Sequence, residues 1–262
     1  MISSTANPRI KNVALLQKKG KERKRQGLFV IEGRKLLEEV LRDAPEALEE
    51  IYVTEGYIAD EGQKSLLTGF SYEVVTENVM KVMAETMEPQ GVVATVRMPE
   101  YDKKRLLQKE TAVWIALEDL RDPGNLGTIL RTAEAAGVAG IILSVGSVDI
   151  YNPKVIRSTM GSVFRVPFFY TDDIFKTAQE LKDRGIRLFA AHLGGKNNYE
   201  QEDYTGDVGF LIGNEGNGLT DELSDMADTW VKIPMAGKVE SLNAAIAASI
   251  LMFETARQRR AQ

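Results

Sequence analysis

The sequence predicts an α/β protein whose larger part is built on a mainly parallel sheet. Short apolar runs of strand length alternate with segments of helical periodicity along most of the chain. Some runs, such as Ala112–Leu117, are apolar throughout, which is typical of strands covered on both faces. With 262 residues, 44% of them hydrophobic, the chain is long enough for one large domain or two ordinary ones.

Residues 1–98 are predicted to form a small N-terminal α/β domain. Apolar spacing in this part predicts the helices Asn7–Lys18, Gly33–Asp43 and Glu77–Glu85. Alternating or β-branched runs predict the strands Leu28–Ile31, Ile51–Thr54, Tyr72–Val75 and Gly91–Val96. Residues 99–110 are mostly polar and include a proline, and we interpret them as a linker.

Residues 111–262 are predicted to form the second domain, in which strands and helices alternate more regularly. The predicted strands are Ala112–Leu117, Gly140–Ser144, Val166–Tyr170, Ile186–Ala191, Val208–Ile212 and Trp230–Ile233. The predicted helices are Leu126–Ala136, Pro153–Met160, Asp173–Arg184, Leu219–Ala227 and Leu242–Arg257. Gly137 and Gly185 directly follow two of these helices, as glycines commonly do at helix C-termini.

The composition excludes several classes of site. The chain has no cysteine, so disulfides, thiolate metal sites and cysteine nucleophiles are excluded, and we predict no metal centre. The segment Met1–Lys11 lacks the apolar stretch of a signal peptide, and Ala244–Phe253 is too short to span a bilayer. We therefore expect a cytoplasmic protein.

Positive charge is concentrated at the N-terminus, although the net charge of the chain is −5. Residues 1–25 contain a single acidic residue, Glu22, and many basic ones. The candidate RNA-binding residues are Arg9, Lys11, Lys18, Lys19, Lys21, Arg23, Lys24 and Arg25. Such asymmetry suits a polyanion, and the alternative is a solvated, partly frayed terminus.

Three strand ends carry unusual loops, and ligands of such sheets bind beyond the carboxyl ends of the strands. The first loop leads into a helix for which Asn125 is the predicted N-cap. On that helix Arg131 should lie over Gly127 and extend toward the strand-end cleft. The alternative is a surface arginine that pairs with Glu134 or Asp122.

The second loop is the glycine-rich segment Gly213–Leu219. Its glycines indicate left-handed or closely approached backbone. The segment lacks the spacing of a dinucleotide or P-loop motif. In addition, Glu215 would oppose a phosphate at the following helix. The loop therefore favours a neutral or cationic ligand, or a hub of structural hydrogen bonds.

The third loop, Ile233–Asn243, opens the last predicted helix, for which Ser241 is the predicted N-cap. The helix is small or apolar on nearly all sides from Ala244 to Phe253. A helix of this kind needs burial all round. A single small sheet domain rarely provides it, so we predict a subunit interface and a homodimer.

Together these loops resemble the SpoU (TrmH) family of the SPOUT methyltransferase class. The matching segments, in the family's order, are Asn125–Gly127 with Arg131–Ala133, Gly213–Leu219, and Ile233–Gly237 with Ser241–Asn243. In the first domain, Phe29–Gly33 and Gln90–Ala94 are similar to the family's ribosomal-protein-like substrate-binding domain. One departure is visible, because many members have Val-Ser where this chain has Ala244-Ala245.

The resemblance implies an RNA 2′-O-ribose methyltransferase that uses S-adenosylmethionine. It implies a SPOUT-type sheet with a C-terminal trefoil knot, and a homodimer whose arginine and cofactor come from opposite chains. The substrate is expected to be rRNA ahead of tRNA. The matching cofactor-binding positions are Ala191, Gly213, Ile233 and Leu242. The matching catalytic positions are Arg131, Asn125, Glu215, Ser241 and Asn243.

In such an enzyme Arg131 would hold the adjacent phosphate and stabilise the developing alkoxide, since a guanidinium stays protonated. Two proton acceptors remain open, the phosphate and a neutral arginine. An alternative function is a non-catalytic RNA-binding protein that kept the fold. A Rossmann-type nucleotide enzyme would need a glycine fingerprint that is missing after the first strand of the second domain. His192, the only histidine, is interpreted as structural or exposed.

Overall fold

The computed structural model describes residues 1–108 and 112–261. The helices are α1 Pro8–Lys18, α2 Gly20–Gln26, α3 Arg34–Asp43, α4 Glu55–Ala59, α5 Glu61–Leu66, α6 Glu77–Met83, α7 Lys103–Leu106, α8 Pro123–Ala136, α9 Pro153–Thr159, α10 Ile174–Lys182, α11 Asp221–Asp225 and α12 Ala244–Arg260. The strands are β1 Leu28–Glu32, β2 Leu48–Val53, β3 Glu73–Val74, β4 Val92–Arg97, β5 Val113–Leu117, β6 Gly140–Ser144, β7 Phe168–Thr171, β8 Arg187–Ala191, β9 Asn197–Asn198, β10 Val208–Ile212 and β11 Thr229–Lys232.

The chain divides into two compact units. The first contains Met1–Glu100 together with Asp149–Phe164, and the second contains Tyr101–Val148 together with Arg165–Gln262. The segment 149–164 therefore groups with the first unit, although the sequence suggests a division at residues 99–110. Within the first unit, the rings of Tyr151 and Phe164 lie 4.8 Å and 6.2 Å from the ring of Phe29.

A four-stranded sheet in the order β1-β4-β2-β3 forms the first unit. Strand β4 pairs antiparallel with β1 and β2, while β2 and β3 are parallel. Helix α1 packs its apolar residues Ile10, Val13 and Leu16 into the core of this unit, where all three are fully buried. Residues 8–18 are thus an integral part of the fold rather than a frayed terminus.

A seven-stranded sheet in the order β7-β6-β5-β10-β8-β11-β9 forms the second unit, and every described neighbouring pair in it is parallel. The central strands β5 and β10 are buried along their whole length. The carboxyl ends of the central strands β5, β10, β8 and β11 lie along one edge of the sheet, and the three unusual loops follow β5, β10 and β11.

Arg23 does not belong to an RNA-binding surface, contrary to the prediction. Its side chain is only 4% exposed and forms an ion pair with Asp149 at 2.6 Å within the first unit. Its guanidinium also donates to the carbonyl oxygen of Leu16 at 2.6 Å. A charged group buried this far has to be paired, and Asp149 lies 126 residues away in the sequence. Arg23 therefore anchors α2 within the first unit.

Two predicted helix starts were wrong by a few residues. Asp122, not Asn125, caps α8, because the Asp122 carboxylate accepts the backbone N–H of Asn125 at 2.8 Å and Pro123 opens the first turn. Asn243, not Ser241, caps α12, because the Asn243 amide oxygen accepts the backbone N–H of Ala245 at 2.9 Å. Both shifts place an asparagine of the predicted site inside or at the start of a helix.

The predicted linker contains regular structure, since α7 lies within residues 99–110. Residues 109–110 of that linker, residue 111 of the predicted second domain and residue 262 lie outside the described residues. Within the described part of the chain, none of the helices has both the length and the apolar character needed to cross a bilayer.

Candidate active site

A hydrogen-bonded network of three side chains joins the three loops of the second unit. The amide nitrogen of Asn125 on α8 donates to Glu215 Oε1 at 2.7 Å. The amide nitrogen of Asn243, which caps α12, donates to Asn125 Oδ1 at 2.9 Å. Asn125 is 9% exposed, so both contacts of its side chain are sheltered from water. The structure thus brings together three of the five predicted catalytic residues.

Glu215 connects this network to the backbone of the first loop. Its two carboxylate oxygens also accept the backbone N–H groups of Arg121 at 3.2 Å and Asp122 at 3.1 Å. Partial burial alone would raise the pKa of Glu215, but the hydrogen bonds from Asn125 and the two backbone N–H groups outweigh it. The pKa of this carboxyl therefore lies below its ordinary value, and Glu215 is charged at neutral pH.

The glycine-rich loop folds back on its own first residue. A Cβ atom on Gly213 would lie 1.9 Å from the carbonyl carbon of Gly218, so no other residue fits there. Asn214 and Gly218 exchange backbone hydrogen bonds of 3.2 Å and 3.1 Å, and Gly218 has a φ of 72°. The sequence predicted both features of this loop, left-handed backbone and close approach.

A buried carboxylate that sequence reasoning missed holds the far end of the loop. Glu118, at the end of β5, is 7% exposed, and its oxygens accept the hydroxyl and the backbone N–H of Thr220, both at 2.8 Å. A charge directly after an apolar strand was the available signal in the sequence. The glycine-rich loop is thus fixed to β5 through Glu118 and to α8 through Glu215.

A cavity of about 650 Å³ lies at the ends of β8, β10 and β11. We call it the strand-end cavity. Its lining includes all four predicted cofactor-binding residues, Ala191, Gly213, Ile233 and Leu242, and three of the predicted catalytic residues, Glu215, Ser241 and Asn243. The remaining wall is mixed: Ile212, Leu219, Val231, Met235 and Leu251 are apolar, and His192, Lys232 and Glu240 are polar or charged.

An open cleft of about 730 Å³ lies beside this cavity. We call it the loop cleft. It is lined by Arg121, Asp122, Pro123, Asn125, Asn214, Glu215, Gly216, Asn217 and Asn243. The segment 214–217 and Asn243 also line the strand-end cavity. The two spaces therefore share a wall that carries Glu215 and Asn243 of the network.

Arg131 lies away from both spaces, contrary to its predicted aim. It is exposed on α8 and is not among the residues that line either space. Arg131 lies six positions after Asn125 on α8. On an α-helix this step corresponds to a rise of about 9 Å and a rotation of about 240°. The alternative of an ion pair is not observed either, since Glu134 pairs with Arg165 and Asp122 caps α8.

His192 has a local structural environment in the wall of the strand-end cavity. Its Nδ1 accepts the backbone N–H of Gly194 at 3.0 Å, and its ring lies 4.2 Å from the ring of Trp230. Across the described residues, no group of three or more histidine, cysteine, aspartate or glutamate side chains is arranged to hold a metal ion.

The SpoU rRNA methylase family model matches residues 112–253, which is more than half of the chain. The chain belongs to this family. A second model, of an MRM3-like substrate binding domain, matches residues 7–94. The family predicted from the three loops is therefore confirmed.

Two relatives of this SpoU chain are named as 23S rRNA methyltransferases. The 23S rRNA (guanosine(2553)-2′-O)-methyltransferase RlmP of Bacillus subtilis (strain 168) is 34% identical over 254 residues, 96% of this chain and 97% of that protein. The 23S rRNA (guanosine-2′-O-)-methyltransferase RlmB of Shewanella oneidensis is 32% identical over 241 residues, 88% of this chain and 98% of that protein.

Solved SpoU structures share the fold. The AdoMet complex of the SpoU methyltransferase AviRb from Streptomyces viridochromogenes has a TM-score of 0.86 and 28% identity, covering 98% of this chain and 100% of that chain. An AdoMet-bound rRNA methyltransferase from Sinorhizobium meliloti has a TM-score of 0.84 and 32% identity, covering 98% and 97%. The predicted α/β fold class of the SPOUT type is confirmed.

Glu215→Gln is expected to destabilise the SpoU chain more at neutral pH than in acid. The pKa of Glu215 is lowered by folding, so its stabilising effect is present above the ordinary carboxyl pKa and is lost as the pH falls through the lowered value. Urea unfolding of both proteins from pH 7 downward should give free energies that converge in acid. Glu222→Gln, at an exposed position of α11 in the same unit, is the matched control. If the free energies of unfolding of Glu215→Gln and the wild type differed by the same amount at every pH, this role would be contradicted.

Proposed function

We propose that this chain transfers a methyl group from S-adenosylmethionine to a ribose 2′-hydroxyl of rRNA, with the strand-end cavity as donor site and the loop cleft as acceptor site. Membership of the SpoU family and its AdoMet-bound solved members confirm the predicted activity and cofactor. The observation that carries the placement of the two substrates is the shared wall with Glu215 and Asn243.

The strand-end cavity fits the cofactor. Its volume of about 650 Å³ is that of a small-molecule site, and its walls combine apolar side chains with a few polar groups. At Gly213, in the cavity wall, the backbone of Gly218 leaves no space for a side chain. Ala191, Gly213, Ile233 and Leu242 would hold the cofactor, and when bound it supplies a methyl group on a positively charged sulfur.

The network orients the acceptor rather than removing its proton. Glu215 already accepts three hydrogen bonds, and its lowered pKa makes it a weak base. Asn125 and Asn243 are each fixed by their neighbours, so the edges that they present to the loop cleft are preorganised. Ser241 lines the strand-end cavity and not the loop cleft, so its hydroxyl can contact the bound cofactor.

Arg131 is assigned to the acceptor site of a second protomer. Within one chain it is exposed and turned away from the network. A protonated guanidinium can stabilise the alkoxide that develops at the 2′-oxygen and hold a neighbouring phosphate. Thr132, the next residue, accepts a hydrogen bond from Ser249 of α12 at 3.2 Å. The side chain of Arg131 therefore begins next to the contact between α8 and α12.

The homodimer is supported by an apolar stripe on α12. One face of this helix is buried against α8 and β10, with Ala248, Leu251 and Met252 inside. Ile246, Ile250 and Phe253 follow the i, i+4, i+7 spacing of one helix face, and Ile246 and Phe253 remain 47% and 45% exposed. A second copy of the chain would cover this face. If the purified protein sedimented as a monomer at assay concentration, the homodimer would be rejected.

The trefoil knot and the cytoplasmic location are further parts of the proposal. The knot is proposed from the resemblance to the SPOUT class. An experimental chain trace without a threaded crossing would reject the knot. An rRNA substrate supports the cytoplasm as the site of action, and fractionation of cells that carry a tagged chain tests it.

The basic surface of α1 and α2 is proposed to bind RNA through Lys11, Lys18, Lys19, Lys21, Lys24 and Arg25, all of which are exposed. Arg9 is also exposed, but it pairs with Glu50 and Glu73 at 2.9 Å each, and Arg25 pairs with Glu22 at 2.7 Å, so we expect less from these two arginines. Deletion of this segment would remove the buried face of α1, and charge-neutralising substitutions are therefore the appropriate test.

Lys18→Gln, Lys19→Gln and Lys21→Gln combined are expected to flatten the dependence of RNA affinity on salt. The slope of log affinity against log salt is negative, and each phosphate contact that is lost reduces its magnitude by about 0.7–0.9. Affinities measured at several salt concentrations check this. Lys64→Gln, Lys81→Gln and Arg97→Gln combined, elsewhere in the first unit, serve as a control with the same loss of charge. Equal slopes for the two triple variants would show that the basic surface makes no special contribution.

The activity itself is tested by nuclease digestion and mass spectrometry of rRNA from cells with and without the gene. We expect one ribose to gain its 2′-O-methyl group only when the gene is present, and 23S rRNA is the first molecule to inspect because two relatives act on it. Purified protein with S-adenosylmethionine should restore the mark on rRNA from the deletion strain. An rRNA methylation pattern unchanged by the deletion would contradict the proposal.

A further inference from the structure

The loop cleft contains a cationic side chain that has no direct partner among the described residues. Among the described residues that line it, Arg121 alone carries a cationic side chain. Arg121 is exposed, and its guanidinium forms no ion pair or hydrogen bond with any residue in the described ranges 1–108 and 112–261. Its charge is therefore available to a molecule that enters the cleft.

The two carboxylates of the cleft are already engaged. The Asp122 carboxylate accepts the backbone N–H of Asn125 at 2.8 Å and caps α8. The Glu215 carboxylate accepts the Asn125 amide and two backbone N–H groups. Neither carboxylate pairs with the Arg121 side chain, although both line the same cleft.

The backbone of Arg121 is held in place while its guanidinium is free. Its N–H donates to Glu215 Oε2 at 3.2 Å, and Glu215 Oε1 binds the amide of Asn125 at 2.7 Å. The base of this side chain is thus tied to the network that faces the acceptor. A cation placed in this way suits an anion that lies next to the acceptor hydroxyl.

We propose that Arg121 binds an RNA phosphate next to the target ribose, in the same chain that holds the cofactor. The proposal rests on the proposed function, since that function places the ribose in the loop cleft. In RNA the phosphodiester on the 3′-oxygen is the nearest anion to a ribose 2′-hydroxyl. A guanidinium can bind two phosphate oxygens at once, which would fix the orientation of the strand.

Arg121 and Arg131 then have separable roles. Arg121 would contact a phosphate that carries the same charge before and during methyl transfer. An interaction that is equal in the ground state and the transition state affects KM and leaves kcat nearly unchanged. Of the two roles considered for Arg131, the phosphate contact passes to Arg121 and the stabilisation of developing charge remains. Loss of Arg131 should therefore appear in kcat.

The test compares Arg121→Gln and Arg121→Lys with the wild type, and Arg105→Gln is the matched control. Arg105 is an exposed arginine of the same unit that lines neither the cavity nor the cleft. Binding of an unmodified 23S rRNA transcript is measured with S-adenosylhomocysteine present, at several salt concentrations. Methyl transfer to rRNA from the deletion strain is measured in parallel, together with S-adenosylhomocysteine affinity and the thermal midpoint.

For Arg121→Gln we expect RNA affinity to fall roughly tenfold, the loss of one charge-assisted contact. The magnitude of the slope of log affinity against log salt should decrease by about 0.7–0.9, the value for one phosphate. KM for RNA should rise by a similar factor while kcat changes less than twofold. Arg121→Lys keeps the charge and should retain the salt slope, and Arg105→Gln should match the wild type.

Three outcomes would overturn the phosphate site. These are an unchanged salt slope and KM in Arg121→Gln, a loss in kcat alone, or a loss of S-adenosylhomocysteine affinity that Arg121→Lys shares. The binding assay also separates this inference from the proposed function. A wild-type protein that transfers no methyl group would contradict the function, while a lowered slope in Arg121→Gln would still support the phosphate site.

Discussion

Arg131→Ala is expected to lower kcat by roughly 10²–10³ while leaving affinity for S-adenosylmethionine nearly unchanged. This is the usual cost of removing one group that stabilises developing negative charge. Arg131 is exposed and lines neither the strand-end cavity nor the loop cleft of its own chain. Its loss should therefore not disturb the fold or the cofactor site. Single-turnover methyl transfer and calorimetry with S-adenosylmethionine measure the two effects separately.

The control for this variant is Lys176→Ala, which removes another exposed basic side chain from a helix of the same unit, α10. Surface substitutions of this kind change stability by less than about 0.5 kcal/mol, so both variants should keep the thermal midpoint of the wild type. Turnover of Arg131→Ala within tenfold of the wild type, a barrier change below about 1.4 kcal/mol, would reject the catalytic role.

The central part of the site could be predicted because its signals are local or follow from topology. Asn125, Gly213 and Asn243 lie in the segments that follow strands β5, β10 and β11, and parallel strands bring their carboxyl ends to one edge of the sheet. That rule predicts that the three loops meet. The sequence alone did not predict which of these side chains contact each other. Only the structure shows that Asn125 lies between Glu215 and Asn243.

Helix boundaries were less predictable, since several residues competed for each cap. Asp122 and Asn125 are both good N-cap residues, and the preference of Pro123 for the first helical position decided in favour of Asp122. Ser241 and Asn243 presented the same choice before α12. The difference matters for function, because the cap at Asn243 fixes the amide that bonds to Asn125.

Long-range pairing of charge could not be predicted from the sequence. Arg23 looks like one member of a basic run, yet its partner Asp149 is 126 residues away and the pair is buried. Arg121 presents the opposite case, because two acidic residues line the same cleft and neither pairs with its side chain. Which arginines remain available to RNA depends on tertiary contacts, and composition alone does not report them.

Mixing Arg131→Ala with a variant of the cofactor cavity is expected to restore activity that neither variant has alone. Leu242→Arg is suitable because Leu242 lines the strand-end cavity, where an added cation would occupy space and repel the sulfonium. If arginine and cofactor come from opposite chains, a mixed dimer has one intact site of two. Random reassortment makes about half of the dimers mixed, so activity should return to about a quarter of the wild-type value.

Selection for two different affinity tags sharpens the result, because it isolates the mixed dimers and raises the expected activity to about half of the wild-type value. If both groups acted within one chain, each site of a mixed dimer would carry one defect and no activity would return. Light scattering and thermal unfolding establish that each variant folds and dimerises. Folded, purified mixed dimers without activity would reject the shared site, and they would leave the methyltransferase assignment intact, since that rests on the family and on the wild-type reaction.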